Sequence, residues 1–159
     1  MDEDAGGEAA PPLTGIDEAL AAFGDRLRPL PAAEVGLTEA RGRVLAEDAD
    51  AGIPLPAFTQ SAMDGYALRA ADTRGAGPGE PSALRLAGTS AAGGEDLPRV
   101  EPGRAARIYT GAPLPDGADA VLRQEDARVE DGELLLDRPV SQGTAVRRAG
   151  EEVAEGAGI

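Results

Sequence analysis

Two short stretches hold the residue types that chemistry needs. SAMDGYA, residues 61–67, centres on Asp64-Gly65 and contains one of the chain's two methionines and one of its two tyrosines. RIYTGAPLPDGADAVLRQED, residues 107–126, places Thr110-Gly111 ahead of a proline-stiffened arch, Ala112-Pro113-Leu114-Pro115. The 159 residues include no cysteine and no histidine. That excludes disulfides, thiolate metal sites, cysteine nucleophiles and serine–histidine triads. Chemistry is left to carboxylates, hydroxyls, arginines, backbone N–H groups and bound ions. Asp64, on an exposed turn, can hold Mg²⁺ through one or two oxygens while the ion keeps several waters. Gly65 lets the backbone come close to a ligand. The same pair also reads as a hairpin turn, because Asp-Gly between apolar residues is a strong hairpin signal. The readings are compatible, since functional residues commonly sit on turns.

Thr110 offers a hydroxyl and Gly111 an uncluttered N–H, a combination suited to a phosphate or another oxyanion. The plainer alternative is a stiff loop between two strands. A third stretch, Arg147-Arg148-Ala149-Gly150-Glu151-Glu152, pairs two arginines that can clamp a phosphate. Adjacent Arg and Glu more often form a solvated surface with weak ion pairs, and that reading is preferred here.

The elements that must position these residues follow from periodicity. Residues 1–12 read as a disordered acidic tail. Ile16, Leu20, Phe23 and Leu27 form one apolar helical stripe, with Thr14 as cap and Asp17 completing a capping-box-like pattern. Pro29 and Pro31 stop the helix. Thr38-Glu39-Ala40-Arg41 reads as one helical turn ended by Gly42, and Val44-Leu45-Ala46 as a short strand. Pro54 and Pro56 stiffen a connector. Beyond it the period changes to two. Strands are expected at 66–68, 83–86, 105–109, 120–122, 127–129 and 134–136, with a hairpin at Asp131-Gly132. The expected fold is α+β and mainly β: an elongated segment made from residues 13–56 and 140–159, with a small β domain at 57–139 inserted.

Composition limits the partners. Fifteen basic residues, all arginine, face 29 acidic ones, for a net charge of −14. The exclusive use of arginine reads as coding bias and is given no functional weight. The acidic balance argues against nucleic acid and against an anionic membrane surface. No apolar run approaches a membrane span, and the N-terminus lacks the features of a signal peptide, so a cytoplasmic location is expected. Leu, Ile, Val and Phe together number 30, just under the ~20% below which high net charge begins to suggest disorder. That predicts a thin core that gains burial from a partner surface.

At PLPAFTQSAMDGYALRAADT, RIYTGAPLPDGADAVLRQED and VRRAGEE the chain resembles the molybdopterin molybdenumtransferases, the MoeA/gephyrin E-domain family. The resemblance implies the last step of molybdenum cofactor synthesis. Molybdate is inserted into adenylylated molybdopterin, AMP is released, and a divalent cation such as Mg²⁺ takes part. It also implies an elongated homodimer whose 13–56 and 140–159 segment dimerises. The active site would lie between the β domain of one subunit and an α/β domain of the other. The family's Asp and Thr fall on Asp64, as catalytic residue and metal ligand, and on Thr110, as catalytic residue. Ser61, Gly65 and Gly111 join them as expected binding residues. Thr59-Gln60 stands where the family has Asp-Asn, a change expected to weaken hydrogen bonding around the Asp64 loop, and Glu152 stands in place of Asp. The α/β domain would follow Ile159. The expectation is therefore the N-terminal part of such an enzyme, holding half a site and inactive without that domain. The rival is a non-catalytic dimerisation or scaffold module that pairs with a full-length paralogue.

Overall fold

The computed structural model describes residues 13–24, 26–94 and 97–159; the acidic tail at 1–12 lies outside them. The chain divides into two compact units, with the boundary between Ala46 and Glu47.

In the first unit, helix α1 spans Ile16–Gly24. Its first bond runs from Ala19 N to Gly15 O at 2.9 Å. Gly15, not Thr14, is therefore the cap, and the Thr14 hydroxyl makes no capping bond. The expected stripe is present in part and uncovered: Ile16, Leu20 and Phe23 lie on α1, Leu27 falls beyond its end at Gly24, and all four are 64–80% exposed. Around Gly42, at φ 81, the chain makes the expected turn, with Ala40 N bonded to Gly36 O. Val44-Leu45-Ala46 is not a strand: it has no ladder partner among the described residues, and Val44 and Leu45 are exposed. An apolar run cannot settle as a strand unless its backbone groups find a neighbour.

The second unit is built on a six-stranded sheet. Its strands are β2 (Gly65–Leu68), β3 (Ser82–Ser90), β4 (Arg104–Ile108), β5 (Ala120–Arg123), β6 (Arg128–Glu130) and β7 (Glu133–Leu136), in the order β5-β2-β4-β3-β7-β6. All neighbours are antiparallel except β3 and β4. Each of the six expected strands is found, within a few residues of its expected ends. β3 runs on to Ser90 because Gly88, at φ 130, kinks the strand without ending it, and the register with β4 shifts there. Asp131 and Gly132 both have positive φ, 49 and 81, and join β6 to β7 as the two-residue hairpin expected of them.

Alternation along the strands gives the sheet two buried faces. Leu68, Leu84, Ala105, Leu122 and Leu134 pack on one; Ala67, Ile108, Ala112 and Val121 pack on the other. Two further strands, β1 (Gln60–Ser61) and β8 (Val146–Arg147), pair with each other outside the sheet. Residues 50–55 also run beside 153–158, through bridges Asp50 to Gly158 and Leu55 to Val153. No helix among the described residues is long and apolar enough to cross a membrane.

Asp64-Gly65 is a bend and not a hairpin. β1 turns to β8, whereas β2 enters the sheet between β4 and β5. Gly65 is needed for proximity: a Cβ there would stand far inside van der Waals contact distance of the Leu122 carbonyl oxygen. Gly65→Ala must push β2 and β5 apart. The expected cost is roughly 3 kcal/mol, read as a melting temperature lower by about 10 °C. Gly75→Ala, with open space around the added methyl, should stay within about 0.5 kcal/mol of the parent.

Candidate functional site

The two sequence motifs are brought together by their backbones. Gly111 N donates to Ser61 O (2.9 Å), Ser61 N to Ala112 O (3.0 Å) and Leu114 N to Thr59 O (3.0 Å). Segment 59–61 thus runs along 111–114, and it does so without using the side chains of Thr59 and Gln60. Replacing Asp-Asn by Thr-Gln therefore leaves this lacing intact. The Thr59 hydroxyl adds one bond of its own, from Ala149 N at 3.3 Å.

The lacing places Asp64 against Thr110. Asp64 Oδ1 accepts both the Thr110 backbone N–H and its hydroxyl, each at 2.8 Å. The backbone bond and then the hydroxyl bond hold the Asp64 carboxyl below the usual carboxylate value; desolvation opposes them, and the Arg107 charge adds a lesser contribution in the same lowering direction. Asp64 is therefore ionised at neutral pH, and its Oδ2 accepts no hydrogen bond among the described residues. The Asp64 carbonyl is fixed separately, by Gln124 N at 3.0 Å.

The other expected binding residues sit behind this pair. Ser61 is buried, and its hydroxyl closes a local turn by donating to Met63 O (2.6 Å) and accepting from Met63 N (3.2 Å). Gly65 is buried in β2, in extended backbone. Gly111 has φ 77, which suits glycine, but the N–H expected to be free for an anion is given to Ser61. With Thr110 N–H on Asp64, neither of the two N–H groups is open to a phosphate.

Sequence reasoning missed Arg107, Gln124, Tyr66 and Tyr109. Arg107 donates to Gly65 O (3.3 Å) and Gln124 Oε1 (2.5 Å), and its guanidinium lies 5.0 and 5.1 Å from the centroids of the Tyr66 and Tyr109 rings. The available signal was the two-residue alternation of Arg107 and Tyr109 at the end of a strand. Of the paired arginines, Arg147 forms the expected ion pairs, and Arg148 contributes its backbone N–H. Arg147 meets Glu151 at 3.1 Å and also Glu152, and Glu151 accepts from Arg148 N at 2.8 Å. That backbone bond, with help from Arg147, holds the Glu151 carboxyl low. A groove of about 470 Å³ beside β5 is bordered by Met63, Arg123, Arg138 and Thr144, and Asp126 bridges its two arginines. Asp64 and Thr110 do not line it. Among the described residues no three acidic side chains come together as a metal cluster.

Residues 14–159 match the family model for the MoeA N-terminal region, domains I and II. The chain belongs to the MoeA N-terminal family. It is 43% identical over 122 residues to molybdopterin molybdenumtransferase 2 of Mycobacterium tuberculosis H37Rv, a match covering 77% of this chain and 30% of that protein. With the molybdopterin molybdenumtransferase of Synechococcus elongatus it shares 37% identity over 129 residues, covering 80% and 32%. A crystal structure of the molybdopterin biosynthesis MoeA protein from Pyrococcus horikoshii OT3 superposes with a TM-score of 0.84 at 36% identity, covering 93% of this chain and 39% of that one. The chain thus spans under a third of the length of these two curated relatives.

The Asp64–Thr110 bonds give a pH dependence of definite sign. The native carboxyl titrates below its unfolded value, so the stabilisation is complete above the ordinary carboxylate range and is lost as pH falls through the lowered native value. Thr110→Val removes the hydroxyl bond and keeps the backbone one. Carboxyl ¹³C NMR should show Asp64 titrating closer to the ordinary value in that variant and at the parent position in Thr110→Ser.

Proposed function

We propose that this region supplies one wall of a molybdenum-inserting active site. There adenylylated molybdopterin and molybdate are the substrates and AMP is released. The observation that supports the reading is the Asp64–Thr110 pair: an ionised carboxylate whose outer oxygen is uncommitted, held rigidly by a neighbouring strand end. Ser61, Gly65 and Gly111 shape the loop behind it.

The pair suits Mg²⁺. That ion binds through one or two carboxylates and fills its other positions with water and substrate phosphate oxygens. Asp64 offers one such oxygen, and no larger acidic cage is required of this wall. When bound, Mg²⁺ would neutralise charge on the adenylate phosphate. Asp64 would hold the ion in place, and Thr110 would keep the carboxylate aimed and ionised.

The remaining wall would come from the α/β domain that the resemblance implies; this chain spans under a third of the length of these two relatives. Mixing the chain with a separate chain carrying that domain should give AMP release that neither yields alone. Asp64→Ala should lower it by at least about 10²-fold. Turnover by the 159-residue chain alone would rule out the half-site reading.

Assembly as a homodimer, or with the chain supplying the α/β domain, is supported by the uncovered stripe of α1. The stripe serves a non-catalytic scaffold equally well; the Asp64–Thr110 pair favours the enzyme. In light scattering the chain should be dimeric at micromolar concentration, and Leu20→Asp with Phe23→Asp should shift it to monomer. A parent chain that is strictly monomeric would count against self-association.

A further inference from the structure

We propose that Arg107 is the positioning residue of the Asp64–Thr110 pair, a guanidinium hub that locks together the strand ends from which Asp64, Thr110 and Gln124 emerge. The proposal rests on the reading of that pair as the site.

Three strand ends meet at Arg107. It lies at the end of β4, opposite Tyr66 of β2 in the antiparallel register. One amino group reaches Gly65 O, immediately after Asp64. The other reaches Gln124 Oε1, just beyond β5, and Gln124 N in turn holds the Asp64 carbonyl. The guanidinium also stands over Tyr66 and over Tyr109, and these are the chain's two tyrosines. Tyr109 directly precedes Thr110. Arg107 therefore touches a neighbour of Asp64, a neighbour of Thr110 and the residue that fixes the Asp64 backbone, while making no hydrogen bond to the carboxylate itself.

Only arginine can do this. Two separate carbonyl-type acceptors and two ring faces need a planar cation with donors on different edges. A lysine ammonium keeps the charge and loses the fork. Arg107 directs its two hydrogen bonds to Gly65 and Gln124 and none to the carboxylate. The outer oxygen is left open while the loop is held.

Amide hydrogen exchange by NMR on the full 159-residue chain, without metal or substrate, tests the hub. Arg107→Met should speed exchange at Thr110 and Gln124 by about tenfold or more while Leu84 and Leu134, in the far strands, stay within about twofold. Arg107→Lys should remain fast at Thr110 and Gln124, because charge alone does not restore the fork. Gln124→Ala and Tyr109→Leu each remove one arm and should speed Thr110 by a smaller factor. Uniform acceleration at all four amides would mean a general contribution to folding and overturn the proposal. So would unchanged Thr110 rates in Arg107→Met. Should Arg107→Met fail to fold, unchanged Thr110 rates in both single-arm variants would overturn it. The assay involves no turnover, so its failure leaves the catalytic reading to Asp64→Ala, and loss of that reading leaves the exchange result standing.

Discussion

The site depends on how closely β2 can lie against β5. The Leu122 carbonyl occupies the space that a side chain at residue 65 would fill. Gly65 therefore sets the spacing of the two strands where they leave the sheet. From that spacing follows the reach of Gln124 N to the Asp64 carbonyl and of Arg107 to both Gly65 and Gln124. The strand on the other side, β4, ends at Ile108, so Thr110 is free to turn its N–H and hydroxyl on Asp64. A carboxylate that accepts two bonds on one oxygen has its orientation fixed, and the cost of holding it is met by backbone and hydroxyl donors rather than by a salt bridge. That arrangement leaves the ionised group accessible, which a direct arginine pair would not.

The same dipeptide shows what a sequence can and cannot reveal. Asp131-Gly132 forms a hairpin because β6 and β7 pair with each other across it. Asp64-Gly65 has the same local chemistry and forms none, because the strand before it finds its partner at Val146–Arg147 and the strand after it is claimed on both sides. Local signals specify a turn; which strands meet is decided by pairing over long separations. Strand positions were legible because a period of two survives in short runs such as Ala120-Val121-Leu122. The Val44-Leu45-Ala46 segment had the run and lacked the partner.

For the candidate site, motif likeness singles out Asp64 and Thr110, but no spacing rule links residues 46 positions apart. Their direct bond emerges only when 59–61 laces along 111–114. The Gly111 N–H was assigned to an anion because its commitment to Ser61 is a property of that lacing. Arg107 was overlooked for a different reason. In a chain whose basic residues are all arginine, residue type alone does not separate a structural hub from surface charge. Its position beside two tyrosines does, once β2 and β4 are in register.

The low apolar content is an average over two unlike units. In the second unit alanine does much of the packing: Ala67, Ala105, Ala106, Ala112 and Ala120 are fully buried, and their small size lets neighbouring backbone approach closely on both faces of the sheet. Leu68, Ile108, Val121 and Leu134 fill the space between. That unit has a core of its own and does not need a partner to bury it. The first unit is the reverse. Its large side chains, from Leu13 through Phe23 to Val44 and Leu45, are exposed. The expectation of a domain that borrows burial from a partner thus applies to residues before Glu47, while the residues that could bind a cation lie after it. The backbone contacts that aim Asp64 are closed within the second unit itself, through the bonds that lace residues 59–61 along 111–114 and the bond from Gln124 N to the Asp64 carbonyl.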